Sequence, residues 1–137
     1  MNVWLALTHE IHLHHASARA WCEALESDAI VCFCRFTQLG LLRLLTNASA
    51  MGVDVLTQRQ AWDVYDALVA NPCNCLADEP EGIDALFRRQ TNSEASSTKQ
   101  WADGYLAAFA ESSGMRLVTF DRALAAKTKD AVLLAGA

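Results

Sequence analysis

The sequence predicts one α/β domain over residues 1–137, with helices packed on a central, mainly parallel sheet. Three observations carry this. Apolar residues make up 53% of a chain of 137 residues, which excludes a disordered chain and is enough for a real core. Short apolar runs of strand length alternate with segments of helical period from one end to the other. Finally, no internal repeat interrupts that alternation, and alternating strands and helices build parallel sheets.

Met1 to Leu7 is an apolar run with no cap or lead-in and reads as a strand already under way at residue 1. His14 to Leu25 follows as an amphipathic helix with Ala18, Trp21, Cys22 and Leu25 on one face. Ala29 to Cys34 has the length and composition of a buried strand. Thr37 is placed to cap a second helix running to Asn47, and Gly52 breaks the chain after it. Thr57 opens a third helix closed by Asn71-Pro72, with Ala61, Val64, Tyr65 and Leu68 as its stripe. Cys73 to Leu76 reads as a short strand, and Pro80 to Arg89 as a short helix. After the polar loop 91–98, a helix from Lys99 ends at Gly114. Its apolar face, Leu106, Ala107 and Ala110, is expected to dock on the sheet. A strand from Met115 to Asp121, a short helix and a last apolar strand, AVLLA, complete the chain.

Net charge is −5 and no segment is strongly basic, so a tight nonspecific nucleic-acid binder is excluded. Any contact with nucleic acid must be local or use a metal's charge. The opening MNVWLALTHE lacks a basic leader and a long apolar stretch, and no run is long enough to span a membrane. The five cysteines are therefore expected to be reduced thiols in a cytoplasm.

The chemistry concentrates near the C-terminus. Asp121 follows directly on an apolar strand, at the carboxyl end where open α/β sheets place their ligands. Asp103 lies in the first turns of the helix before that strand. Two carboxylates converging on one crevice repel unless a cation lies between them, and Mg²⁺ needs only one or two protein carboxylates. Local rules leave a plainer reading open: an Asp early in a helix suits the helix dipole, and an Asp after a strand can cap the next turn.

The surrounding words go further. TKQWADGYLAAFAESSGMRLVTFDRAL, residues 98–124, resembles the C-terminal motif of PIN-domain ribonucleases, especially their VapC toxin branch. There an Asp in a D-x-Y-L-A-A-x-A helix precedes a strand reading L-x-T-F-D. Asp103 and Asp121 match the two acidic positions, and Thr119 matches a hydroxyl that helps orient the site. RFTQLGLLRLLTN, residues 35–47, resembles the second motif, with Gln38 where a Glu is usual and with Arg43 and Asn47 matching. NVWLAL resembles the first motif, D-x-N-V-W-L-A-L, with Asn2 aligned and its leading Asp falling before Met1. H-x-H-H-x-x-A-x-x-W, from His12 to Trp21, is typical of the same branch.

The resemblance implies a three-layer α/β/α sandwich and a metal-dependent endoribonuclease, the toxin of a toxin–antitoxin pair. It implies Mg²⁺ or Mn²⁺ held by Asp103 and Asp121, with Gln38 and Thr119 completing the catalytic set. Asn2, Arg43 and Asn47 would orient the site or the RNA, Arg43 from the same helical face as Gln38. The partners implied are an RNA substrate, a cognate antitoxin and a second copy of the chain. Two departures, Gln38 for Glu and the leading Asp that falls before Met1, define the alternative: a misassigned start, or a weakened or inactive PIN-like module that binds protein or RNA.

Other features have plainer readings. His9, His12, His14 and His15 suit an exposed loop and a helix start rather than a metal site. Cys32-x-Cys34 and Cys73-x-Cys75 could form a zinc scaffold, yet the spacing is not the usual C-x₂-C. Trp62, Tyr65 and Trp101 could stack on bases, but helical spacing favours packing. Arg88 and Arg89 suit a solvated helix end better than a phosphate contact.

Overall fold

The computed structural model of the protein describes residues 3–136. These divide into two compact units, residues 3–78 and Glu79–Gly136.

The first unit opens with helix α1, Val3–Thr8, where a strand was expected. Residues 1 and 2 lie outside the described residues. An all-apolar run of this length has no period that separates strand from helix. Leu5-Ala6-Leu7 are strong helix formers, and three successive buried residues, Trp4, Leu5 and Ala6, are incompatible with the in-out alternation of a half-buried strand. The Thr8 hydroxyl donates back to Trp4 O at 3.0 Å, and His9 N–H closes the last turn on Leu5 O at 2.9 Å.

Helix α2, His15–Glu23, falls where the sequence places it. Strand β1, Val31–Phe33, is shorter than the apolar run because Cys34 already caps helix α3, Arg35–Leu45. Thr37 is therefore the third residue of α3 rather than its cap. Its Oγ1 accepts the Cys34 N–H at 2.9 Å, satisfying a donor at the helix start. After α4, Ala48–Met51, Gly52 takes a φ of 58° and begins a single 3₁₀ turn.

Helix α5, Gln58–Ala70, has a capping box: Gln60 N–H donates to Thr57 Oγ1 at 3.2 Å and Thr57 N–H to Gln60 Oε1 at 2.9 Å. Strand β2, Asn74–Leu76, then pairs in parallel with β1, with Cys32 opposite Cys75 and Phe33 opposite Leu76. The core of this unit is built around Phe33, which has no solvent exposure. The Trp4 ring stacks on it at 3.8 Å and 9°, Tyr65 meets it edge-on at 5.1 Å, and Leu41, Leu45 and Ala61 fill the same cluster. Tyr65 is thus a core residue, with Trp62 at its exposed edge.

The second unit holds α6, Ile83–Thr91, and α7, Lys99–Ser113, which pack closely on each other. A Cβ on Gly104 would collide with Thr91 Cγ2, so only glycine permits this approach of the two helices. Phe87 meets Trp101 and Tyr105 edge-on at 6.2 and 5.8 Å across the same pair. Asp103, Ala107 and Ala110 share the buried face of α7, while Leu106 is half-buried. Gly114 ends α7 in the left-handed conformation, φ 67°. Strand β3, Val118–Thr119, helix α8, Arg122–Lys127, and strand β4, Val132–Leu133, form a β-α-β unit with parallel register Val118 to Val132. Both strand pairs are therefore parallel, as the alternation of elements requires. Among the described residues, no helix is long and apolar enough to cross a membrane.

Candidate metal centre

In the second unit, β3, α7 and α8 bring three of the expected residues together. Asp121 leaves the carboxyl end of β3 and caps α8: its Oδ1 accepts from Ala123 N–H at 2.9 Å and Leu124 N–H at 3.1 Å. That satisfies the plainer reading of Asp121 as a cap, but it uses only Oδ1. Oδ2 faces the side chain of Lys99, whose Nζ lies 2.8 Å away. The same Nζ lies 2.7 Å from Asp103 Oδ2. One ammonium thus joins a carboxylate from α7 to a carboxylate from the end of β3. Thr119, 4% exposed, accepts the Asp121 N–H on its Oγ1 at 3.0 Å and so fixes the turn that presents Asp121.

The electrostatics follow from that geometry. The Lys99 ammonium, then the backbone N–H of Leu124, hold the Asp121 carboxyl down to about 2. Lys99 is in turn pushed above its ordinary value, first by its hydrogen bond to Asp103 and then by that to Asp121. Asp103 is the more enclosed acid, with its side chain 12% exposed against 24% for Asp121 and 59% for Lys99.

Lys99 was not anticipated from the sequence. Its spacing of four residues before Asp103 is a readable ion-pair signal on a helix. The second half of the bridge, to Asp121, depends on how the strand end meets α7.

Gln38, Arg43 and Asn47 belong to the first unit. Gln38 is buried on α3, and its Oε1 accepts from Arg35 Nη1 at 2.6 Å. Arg43 does not share its face. Five residues turn a helix by about 140° beyond a full circle, and Arg43 is exposed. Asn47 caps α4, accepting from Ser49 N–H on Oδ1 at 2.8 Å. Asn2 lies outside the described residues.

The zinc scaffold is not assembled. Cys32 and Cys75 face each other across β1 and β2 with sulfurs 2.8 Å apart, while Cys34 is buried at the start of α3 and Cys73 is exposed. The histidines are engaged locally. His15 Nδ1 donates to Ala6 O at 2.7 Å, and His9 Nε2 lies 3.1 Å from Asp54. Among the described residues no three His, Cys, Asp or Glu side chains form a possible metal-binding group.

The acid pair does suit a hard divalent cation. Its two Oδ2 atoms already converge on a single positive charge, and oxygen donors in this number leave room for the waters that Mg²⁺ retains.

A parallel α/β chain with paired acids at a strand's carboxyl end defines a class, and the sequence comparison agrees: the PIN domain model matches residues 1–130, and the chain belongs to the PIN-domain family. PIN-domain ribonucleases generally depend on a divalent metal. Among characterised relatives, Ribonuclease VapC41 of Mycobacterium tuberculosis, from strains CDC 1551 / Oshkosh and ATCC 25618 / H37Rv, is 42% identical over 126 residues. The match covers 89% of this chain and 86% of the relative.

Proposed function

We propose that this chain is a metal-dependent endoribonuclease and the toxin of a toxin–antitoxin module. The observation that carries the reading is the convergence of Asp103 and Asp121 on one cation position, in a chain similar to a named ribonuclease along most of its length. Residues 1–137 act as a single PIN domain, the family match running almost from end to end.

Asp103 and Asp121 hold Mg²⁺ or Mn²⁺. A divalent ion there supplies the charge that activates water and stabilises the phosphoryl transition state. Thr119 orients Asp121 through its backbone N–H. Gln38 takes the place of the second-motif Glu as a neutral oxygen donor, and Arg35 holds its amide. Exposed Arg43 is available to an RNA phosphate. Asn2 and Asn47 fill positions of the first and second motifs, Asn47 through its cap on α4.

The partners are RNA, a cognate antitoxin and a second copy of the chain. Exposed Phe36 and Leu39 on α3 and Trp62 on α5 supply apolar surface for the homodimer. The site of action is the cytoplasm.

The test is direct. Purified protein with Mn²⁺ cuts RNA, and Asp121→Asn removes the cutting while the fold, followed by circular dichroism, stays intact. Equal cleavage by the variant would place the activity elsewhere.

A further inference from the structure

The geometry points to Lys99 as a built-in counter-ion of the metal centre, one that holds Asp103 and Asp121 together in the metal-free protein and must leave both carboxylates before a divalent cation can bind them. This rests on the reading of the acid pair as the metal centre.

The argument begins with charge. Two carboxylates facing one position repel and would splay without a cation. The Lys99 ammonium is that cation, within hydrogen-bond distance of both Oδ2 atoms. On Asp121 the oxygen it occupies is the one the helix cap leaves open, since Oδ1 is taken by the two N–H groups of α8. An ammonium and a divalent ion therefore compete for the same position between the two Oδ2 atoms. Nothing buries the lysine in place: its side chain is 59% exposed, at the first residue of α7. A flexible four-carbon stem anchored at a helix start can swing outward while its Cα stays fixed. Exposed ion pairs are weak individually, so the competition sets affinity without preventing binding. Lys99 is thus a positioning residue that acts through the two aspartates.

The competition has a direction that a merely structural lysine would not produce. Lys99→Gln removes the competing charge, so Mn²⁺ binds more tightly, by about three- to tenfold. Lys99→Arg keeps a cation whose planar fork can engage both carboxylates, so Mn²⁺ binds as in the wild type or more weakly. In the metal-free protein the order of thermal stability reverses, with Lys99→Gln below both the wild type and Lys99→Arg, because its two acids face each other without a counter-ion.

Calorimetric titration of Mn²⁺ into the wild type, Lys99→Gln, Lys99→Arg and Asp121→Asn, with melting curves in a chelator, reads all of this without RNA cleavage. Tighter binding in Lys99→Gln together with its lower metal-free Tm supports the exchange. Binding that is equal in the wild type and Lys99→Gln, or weaker in Lys99→Gln, overturns it while leaving the metal centre standing. Binding undiminished in Asp121→Asn, or absent from the wild type and Lys99→Gln alike, overturns the metal centre and the exchange with it.

Discussion

The buried hydroxyl of Thr119 accepts the backbone N–H of Asp121 at 3.0 Å, so the side chain that ends β3 sets the direction of the acid two residues later. Thr119→Val keeps the shape and removes the acceptor. A part-buried N–H left without a partner costs about 1–3 kcal/mol, and urea denaturation is expected to show a loss in that range. Because Asp121 is no longer held at its present angle, RNA cleavage should fall by about one to two orders of magnitude. Thr119→Ser keeps the oxygen and should retain most of both properties. A Val variant that keeps both properties while the Ser variant loses them would show that the methyl group, not the hydroxyl, matters.

Acid stability should report the Lys99–Asp121 contact. The Asp121 carboxyl lies at about 2 in the folded chain, against an ordinary value of 3.8. Between those values the unfolded chain binds a proton that the folded chain does not, so stability falls as pH falls. The contribution is fully present above about pH 4 and is lost as pH drops toward 2. Asp121→Asn keeps an Asn cap on α8 and removes the charge. The stability difference between wild type and this variant, measured in chelator, should be largest at about pH 5 and mostly lost by about pH 2. Added salt should shrink it, because Lys99 is exposed. A difference that is the same at both pH values would mean that the Asp121 charge contributes nothing.

How much of this was legible in the sequence differs between elements for physical reasons. Helix α5 was readable at both ends, because Thr57, Gln60 and Asn71-Pro72 are local signals whose geometry does not wait for the fold. Gly114 marked the end of α7 in the same way. The run at Val3–Thr8 carries no such signal, and an apolar run without period gives no basis for choosing strand or helix. That Asp103 and Asp121 come together was legible through their flanking motifs. The cation between them was not, since a lysine four residues from one acid says nothing of a second acid 22 residues away. Arg43 was placed on the Gln38 face by counting five residues as one turn, and the helix period corrects that.

The stack of Trp4 on Phe33 should dominate the stability of the first unit. Phe33 is fully buried between Trp4 and Tyr65, so Phe33→Ala removes two aromatic contacts and leaves a cavity. The expected cost is about 3–5 kcal/mol, a large fraction of the roughly 5–15 kcal/mol by which an ordinary domain is stable. Phe33→Leu keeps most of the volume and should cost about half as much or less. Chemical denaturation of both variants checks the ranking. An alanine variant as stable as the leucine variant would mean that the site collapses around the missing ring.

Gly104 offers a test in which two principles oppose each other. In a free helix, replacing glycine by alanine stabilises by about 1 kcal/mol. Here the new methyl meets Thr91 Cγ2, with Gln90 Cβ at 3.4 Å behind it. Thr91 cannot simply rotate away, because its Oγ1 donates to Phe87 O at 2.7 Å. Overpacking of this kind costs about 1–3 kcal/mol, so Gly104→Ala is expected to be destabilising, by about 1 kcal/mol after the helix gain is subtracted. The shift would also push α6 and α7 apart next to Asp103, weakening Mn²⁺ binding. Thr91→Ser removes the colliding methyl and keeps the hydroxyl. The double variant should therefore recover, reaching or exceeding wild-type stability as the helix propensity of alanine is no longer opposed. A double-mutant cycle by urea denaturation measures the coupling. If the two substitutions simply add, the close approach of Gly104 to Thr91 is not what limits that position.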